Sequence, residues 1–419
     1  MYTPTLNAPD EDRLGRQHAY PVGTAQDYFF DEAVRVGSFS RMDKIDFSPG
    51  RIARLAPSQQ VLPLPESSQS ETFIQDFRYT HQGEQFRLSD YLSRQRVMGL
   101  MVVQGGQRLF EAYQYQRTPD MRFLGHSFAK SITALAFGIA LHEQRLPSLE
   151  VRAESLVPAL KGSVYGEASL RQLLHMASGV RFEDRYDGQG DTAHFSRVAA
   201  NDGIAAAAHR MREREAADGE RFAYASAQTS VLSLVFQTVM RQDLASYTSQ
   251  HLWQAMGAAD EAWWLQDRFG VVRASGSFCS TLSDYARLGV LLANDGMRPD
   301  NGQQVVPKAF LQEATDWQQH PAAFHPGVAT PALGYGLHFW TFPGQPRRFA
   351  LIGVYGQFMF VAPDLQLVMV QLSAGAEAKN ADTHMALEAQ SVWRSLIEDA
   401  SVKARAAKLS TASLQTQHH

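Results

Sequence analysis

Phe123-Leu124-Gly125-His126-Ser127-Phe128-Ala129-Lys130-Ser131 is the stretch on which the reading of this chain turns. Ser127 and Lys130 stand in the spacing S-x-x-K. From Ser127 to Glu143 the sequence is apolar with small residues and has no Gly or Pro before Gly138, which predicts a buried helix. Residues i and i+3 share a helix face, so the lysine can reach the serine hydroxyl. A serine is a weak nucleophile until a base takes its proton. Lysine serves as that base only when neutral, so burial or nearby positive charge must lower its pKa. At a helix start Ser127 also has free backbone N–H groups that can stabilise an oxyanion. The plain alternative is an N-cap serine followed by a surface lysine, and other segments must decide between the two.

Two such segments exist. Tyr224-Ala225-Ser226 ends the stretch Gly219-Glu220-Arg221-Phe222-Ala223, just before a helix expected to start near Ala227. A tyrosine in a loop before a helix can project into a cleft and relay protons; the plain alternative is a packed aromatic. Tyr247-Thr248-Ser249 repeats the pattern inside a helix-like stretch and reads as structural. Gly353-Val354-Tyr355-Gly356-Gln357 joins two expected strands, and glycine there allows close backbone approach to a ligand. The backbone N–H of Gln357 is then a candidate second oxyanion donor beside that of Ser127; a tight β-turn is the plain alternative.

Around these segments the chain organises itself by pattern. Met98 to Val103 and Arg108 to Gln116, separated by Gly105-Gly106, read as a β-hairpin. Ser169–Met176, Ile204–Arg214, Ala227–Arg241, Asp243–Met256 and Leu282–Asn294 read as helices. Tyr335–Phe342, Arg348–Val354, Phe358–Val361 and Leu367–Leu372 read as an antiparallel meander, and Ala381–Asp399 as a closing helix. The expected fold is therefore α+β. Residues 76–150 and 295–400 build an antiparallel sheet with flanking helices, and 151–294 form a mostly helical sub-domain. Residues 1–75 are expected to be an irregular extension and 401–419 a loose tail.

Composition narrows the function. With 39 basic and 43 acidic residues, and no dense Lys/Arg block, a nucleic-acid surface is excluded. The longest apolar run, around Ile132–Leu141, is about half a membrane span. Met1–Leu6 does not read as a signal peptide, so a cytoplasmic location is expected. The single cysteine, Cys279, permits neither an internal disulfide nor a Cys-based metal site. His142-Glu143 does not complete H-E-x-x-H, and His320, His325 and His338 lack ligand spacing. No metal and no organic cofactor is expected.

Taken together, the segments resemble the serine β-lactamase and penicillin-binding protein superfamily, and within it the class C β-lactamase-related hydrolases and 6-aminohexanoate-dimer hydrolases. The resemblance runs through the 123–131 segment, Leu173–Val180 with Glu183-Asp184, Phe222–Ser226, Gly276–Ser280 with Asp284–Gly289, and Tyr355-Gly356-Gln357 through Pro363-Asp364, over about residues 95–400. It implies a β-lactamase/transpeptidase-like fold with a cleft between sheet and helical sub-domain. It also implies acylation of Ser127, proton transfer shared by Lys130 and Tyr224, and hydrolysis by water. Substrate-side residues are then Tyr186, Ser226, Tyr355, Gly356 and Gln357. No Lys-Thr-Gly is present, and Val354-Tyr355-Gly356 stands in its place; Arg185-Tyr186 follows Glu-Asp where the oligomer hydrolase has a substrate-contacting tyrosine.

The expected substrate is a small ester, then a linear amide, with β-lactamase or D-amino-acid peptidase activity as the alternative. Two readings of other classes compete. Gly125-His126-Ser127-Phe128-Ala129 approaches the G-x-S-x-G elbow of α/β-hydrolases, though its fifth residue is alanine. The other is a non-catalytic sensor that keeps the fold. The loops at 180–220 and 315–335 are expected to shape the cleft, and Trp253, Trp263, Trp264, Trp317 and Trp340 are candidates for its lining or for the core. A homodimer is the assembly allowed for.

Overall fold

The computed structural model describes residues 11–378 and 384–416, with side chains as far as residue 403. Met1–Leu6 and the first residues of the expected Ala381–Asp399 helix lie outside the described residues. The sheet that organises the chain has seven strands: β1 (Val97–Gln104), β2 (Gln107–Tyr113), β3 (Gly334–Tyr335), β4 (Trp340–Thr341), β5 (Phe349–Gly353), β6 (Gln357–Ala362) and β7 (Leu367–Ser373). Their order is β2-β1-β7-β6-β5-β4-β3, with every pair antiparallel. The early hairpin and the late meander thus zip together through β1 and β7. A parallel sheet of the α/β-hydrolase kind is absent among the described residues, which removes the elbow reading of Ser127.

The period-two alternation of the strands assigns their faces. Phe358 and Phe360 of β6 face one core with Trp393, while Met359 and Val361 face the other. Trp393 belongs to α4 (His384–Thr416), and its ring stacks on Phe360 at 5.5 Å. The opposite face receives α1 (Phe128–His142) and α3 (Leu282–Ala293). All residues of α1 from Phe128 to Ala140 are buried, as its apolar, small-residue sequence requires. Its neighbour α2 (Ser226–Met240) carries Val231 and Leu232 into the same apolar cluster as Leu135 and Val368, so helical middle and sheet share one core.

A second, four-stranded antiparallel sheet is not anticipated by the sequence patterns. It orders Arg51–Leu55, Ala262–Gln266, Phe278–Ser280 and Phe123–Leu124. The stretch expected to be an irregular extension therefore contributes a strand at 51–55 and a helix at Glu32–Ser38. Its partner strand arrives from a point about 200 residues later, a pairing that local periodicity cannot reveal. Tyr335–Phe342, expected as one strand, is split into β3 and β4 because His338 is left-handed (φ 61). The closing helix runs to Thr416, into the part expected to be loose.

Gly289 in α3 packs directly on β7: a Cβ there would stand 2.4 Å from Val368 Cγ1. Gly289→Val is expected to lower the unfolding free energy by about 1–3 kcal/mol through overpacking. Urea unfolding monitored by circular dichroism checks this, and an unchanged midpoint contradicts the packing.

Candidate active site

The small sheet delivers the chain into the Ser127 turn. Phe123–Leu124 pairs with Cys279–Ser280, and the Tyr285 hydroxyl donates to the Phe278 carbonyl at 3.0 Å and lies 3.2 Å from that of Phe123. Gly125 fits against this hydroxyl; a Cβ would come within 2.5 Å of it. His126 then adopts φ 47, a region where His is tolerated better than most residues. This turn sets Ser127 at the start of α1, where its hydroxyl caps nothing. The Asp284-Tyr285 block is thus scaffold for the nucleophile turn: Asp284 pairs with Arg287 at 2.8 Å and accepts the N–H groups of Ala259 and Asp260.

Lys130 is 2% exposed, which rules out the surface-lysine alternative. Its Nζ lies 3.0 Å from Ser127 Oγ and donates to the Ser275 carbonyl at 2.7 Å. Burial brings its pKa down to about 8, against an opposing pull from the Asp184 carboxylate. The Tyr224 phenol hydrogen-bonds with Ser127, and its ring lies 5.0 Å from Lys130 Nζ. Burial, followed by the charge of Asp184, raises its pKa, so it is a phenol at neutral pH. Trp340 stacks on Tyr224 at 5.7 Å and holds the ring from behind. The loop tyrosine and the helix lysine therefore meet on one serine oxygen.

Tyr186 and Ser226 line a cavity of about 480 Å³ together with Ser127. The Tyr186 hydroxyl donates to Asp184 Oδ2 at 2.7 Å, and Thr192 donates to Oδ1. Tyr355, Gly356 and Gln357 are placed differently from expectation. Tyr355 is 4% exposed, with Arg35 stacked 4.1 Å from its ring centroid and His126 at 6.0 Å. Gly356 faces Met385 and Ser373. Gln357 is fully buried; its Nε2 donates to the carbonyl of Ser373 at 2.8 Å and its Oε1 accepts the Ser373 N–H. None of the three lines the cavity, whereas Val354 does. The approach is close, because a Cβ on Gly353 would meet the Gly125 carbonyl at 2.5 Å. The N–H groups of Ser127 and Val354 have no acceptor among the described residues.

Several participants escaped the sequence. Ser275 adjoins the matched Gly276–Ser280 block, but carbonyl contacts leave no side-chain signature. The imidazole of His126 is packed between Phe39 and Phe29, and burial lowers its pKa to about 3, so it is a neutral packing group and no base. Tyr28 and Phe29 bring the N-terminal segment into the cavity wall, while 185–200 line it as anticipated and 315–335 do not. No tryptophan lines the cavity among the described residues. His320 is paired with His175 at 2.9 Å, and His338 with Thr229 at 3.0 Å. No group of three or more potential metal-ligating His, Cys, Asp or Glu occurs among the described residues, and no helix among them is long and apolar enough to cross a membrane.

Fold and site define a β-lactamase-fold hydrolase. Residues 89–391 match the beta-lactamase family model, and the chain belongs to that family. It is 28% identical over 283 residues to 6-aminohexanoate-dimer hydrolase of Paenarthrobacter ureafaciens, covering 65% of this chain and 71% of that one. A solved Bacillus anthracis structure assigned as a 6-aminohexanoate-dimer hydrolase superposes with TM-score 0.77 at 22% identity, over 90% of this chain and 96% of that one. EstCE1, a hydrolase with promiscuous acyltransferase activity, gives TM-score 0.55 at 15% identity, over 72% and 94% of the two chains.

The Asp184 carboxylate raises the Lys130 pKa, so Asp184→Asn is expected to lower it further, by up to about one unit. Nitrogen NMR of the lysine side chains across pH measures this. A Lys130 titration that stays put or moves up contradicts the assigned coupling.

Proposed function

We propose that this protein hydrolyses a small ester or amide through an acyl-enzyme on Ser127. The observation that carries this reading is a buried lysine amine, its pKa near 8, 3.0 Å from a serine hydroxyl that opens into a cavity. Neutral Lys130 accepts the Ser127 proton as Oγ attacks the carbonyl carbon. The proton then passes through the Tyr224 phenol to the leaving group, which Tyr224 can serve because it stays protonated. The developing oxyanion is held by the N–H groups of Ser127 and Val354. Val354 takes the role expected of the Gln357 N–H, because Val354 borders the cavity and Gln357 does not. Water enters the cavity to release the acyl group, with Lys130 and Tyr224 reversing their roles.

A short ester is the preferred substrate and a linear amide the second. The cavity offers no lysine side chain in the place of Lys-Thr-Gly to hold a β-lactam carboxylate, so β-lactamase or D-amino-acid peptidase activity ranks third. The kinship with 6-aminohexanoate-dimer hydrolase favours the amide among the alternatives.

A fluorophosphonate probe is expected to label the wild-type protein on Ser127 and to fail with Ser127→Ala. p-Nitrophenyl acetate or butyrate turnover should fall about a thousandfold or more in Ser127→Ala and in Lys130→Ala. The base acts only when neutral, so kcat/KM should climb as pH rises through about 8 and level off above it. Labelling that survives Ser127→Ala, or turnover that survives Lys130→Ala, contradicts the assignment and favours another nucleophile or base, whereas a wild-type protein that neither labels nor turns over substrate favours the sensor reading.

A further inference from the structure

The cavity beside Ser127 has one wall that comes from outside the family-matched residues 89–391: Tyr28, Phe29, Phe30 and Phe47 all line it. Their rings meet edge to face, Tyr28 against Phe47 at 5.4 Å and Phe29 against Phe30 at 5.2 Å. The Phe29 ring also reaches two other residues that border the cavity, His126 at 5.6 Å and Tyr186 at 6.3 Å between centroids. The tip of the Phe30 ring lies over Gly188, again a lining residue, where a Cβ would stand 3.4 Å from Cζ. That ring is 47% exposed. It is no isolated surface phenylalanine, because it continues an apolar aromatic surface that borders a cavity.

The wall is anchored to the nucleophile's own scaffold. Arg35, buried in the helix at Glu32–Ser38, donates to the Phe30 carbonyl at 3.2 Å and to the Gly375 carbonyl at 2.8 Å, with its guanidinium 4.1 Å from the Tyr355 ring centroid. The Phe39 carbonyl accepts the Leu124 N–H at 2.7 Å, three residues before Ser127. Beyond Phe47 the chain enters the small sheet, where Arg51–Leu55 pairs with Ala262–Gln266. Residues 28–47 are therefore tied down in the middle and immediately after. Rings fixed before a ligand arrives lose little freedom on binding it. Aromatic edges and faces also attract a ligand ring by more than the burial of its surface.

We propose that the 28–47 wall is an aryl subsite: the substrate is an ester or amide carrying an aromatic ring, which packs on Phe29 and Phe30 while its carbonyl carbon lies at Ser127. This rests on the Ser127 cavity being the substrate cleft. The cavity's volume of about 480 Å³ leaves room for a ring beside the reacting bond. The subsite adds a specificity that the S-x-x-K pair and Tyr224 do not dictate, and it assigns the N-terminal segment a role in recognition.

The test uses binding, so that it is decided separately from catalysis. Three uncharged amides are titrated into the full-length Ser127→Ala protein by calorimetry. N-butyl-3-phenylpropanamide carries a ring on the acyl side, N-(2-phenylethyl)pentanamide carries one on the amine side, and N-butylpentanamide carries none. The tighter of the two ringed ligands is expected to bind about 10- to 100-fold more strongly than the ring-free one. Its cyclohexyl counterpart should bind less tightly than the phenyl ligand. The gap should narrow with Phe30→Ala, a change at an exposed position that the fold is expected to survive, and collapse when Phe29→Leu is added. Thermal melting checks both variants. Ringed ligands that bind no better than N-butylpentanamide overturn the proposal. So does a cyclohexyl ligand that binds as well as the phenyl one, or a gap unchanged in the folded Phe30→Ala variant. A wild-type protein that fluorophosphonate fails to label would instead strike the catalytic reading and leave this measurement standing.

Discussion

The structure is organised around one costly placement: the amine of Lys130 held 2% exposed, between the hydroxyl of Ser127 and the carbonyl of Ser275. An ammonium group removed from water loses hydration that two hydrogen bonds only partly replace, and the balance appears as the downward pKa shift. That shift leaves part of the amine neutral at neutral to mildly alkaline pH, as the proposed base role requires. It also demands a rigid setting, since a lysine free to swing outward would regain water and its ordinary pKa. Helix α1, buried along nearly its whole length, supplies that setting from one side, and the Ser275 carbonyl anchors the amine from the other.

The remaining parts of the site are arranged about this pair. Asp184 stands close enough to moderate the lysine without bonding it, and the same carboxylate ties down Tyr186. Tyr224 is pressed from behind by Trp340, so its hydroxyl points to Ser127. Gly353 lets β5 run against the Gly125 carbonyl, which brings Val354 to the edge of the cavity that Ser127 borders. Each contact uses a different stretch of chain, and the two antiparallel sheets hold those stretches in register. The N-terminal segment closes the wall with Tyr28 and Phe29.

Much of this was legible from residues alone. The S-x-x-K spacing, the apolar run after it and the tyrosine before a helix are local, and local patterns survive in sequence. The meander and its alternation were readable for the same reason. Val354 was missed in favour of Gln357 because both lie in the same short turn. Only the registry of that turn against Gly125 distinguishes the residue that borders the cleft from the one buried in the sheet. The small sheet was missed because its strands are two to five residues long and two of its three pairings join segments far apart in the chain, 51–55 with 262–266 and 123–124 with 279–280.

What the sequence by itself marked out are the candidate groups: Ser127 and Lys130 by their i, i+3 spacing on one helix face, and Tyr224 by its place in a loop before a helix. What only the tertiary structure decided is the state and surroundings of those groups. The lysine's pKa, the neutrality of His126 and which turn residue borders the cavity depend on burial and on contacts between distant segments. Such quantities arise from three-dimensional packing and solvent exclusion, and a linear pattern carries them only where neighbours in space are also neighbours in the chain.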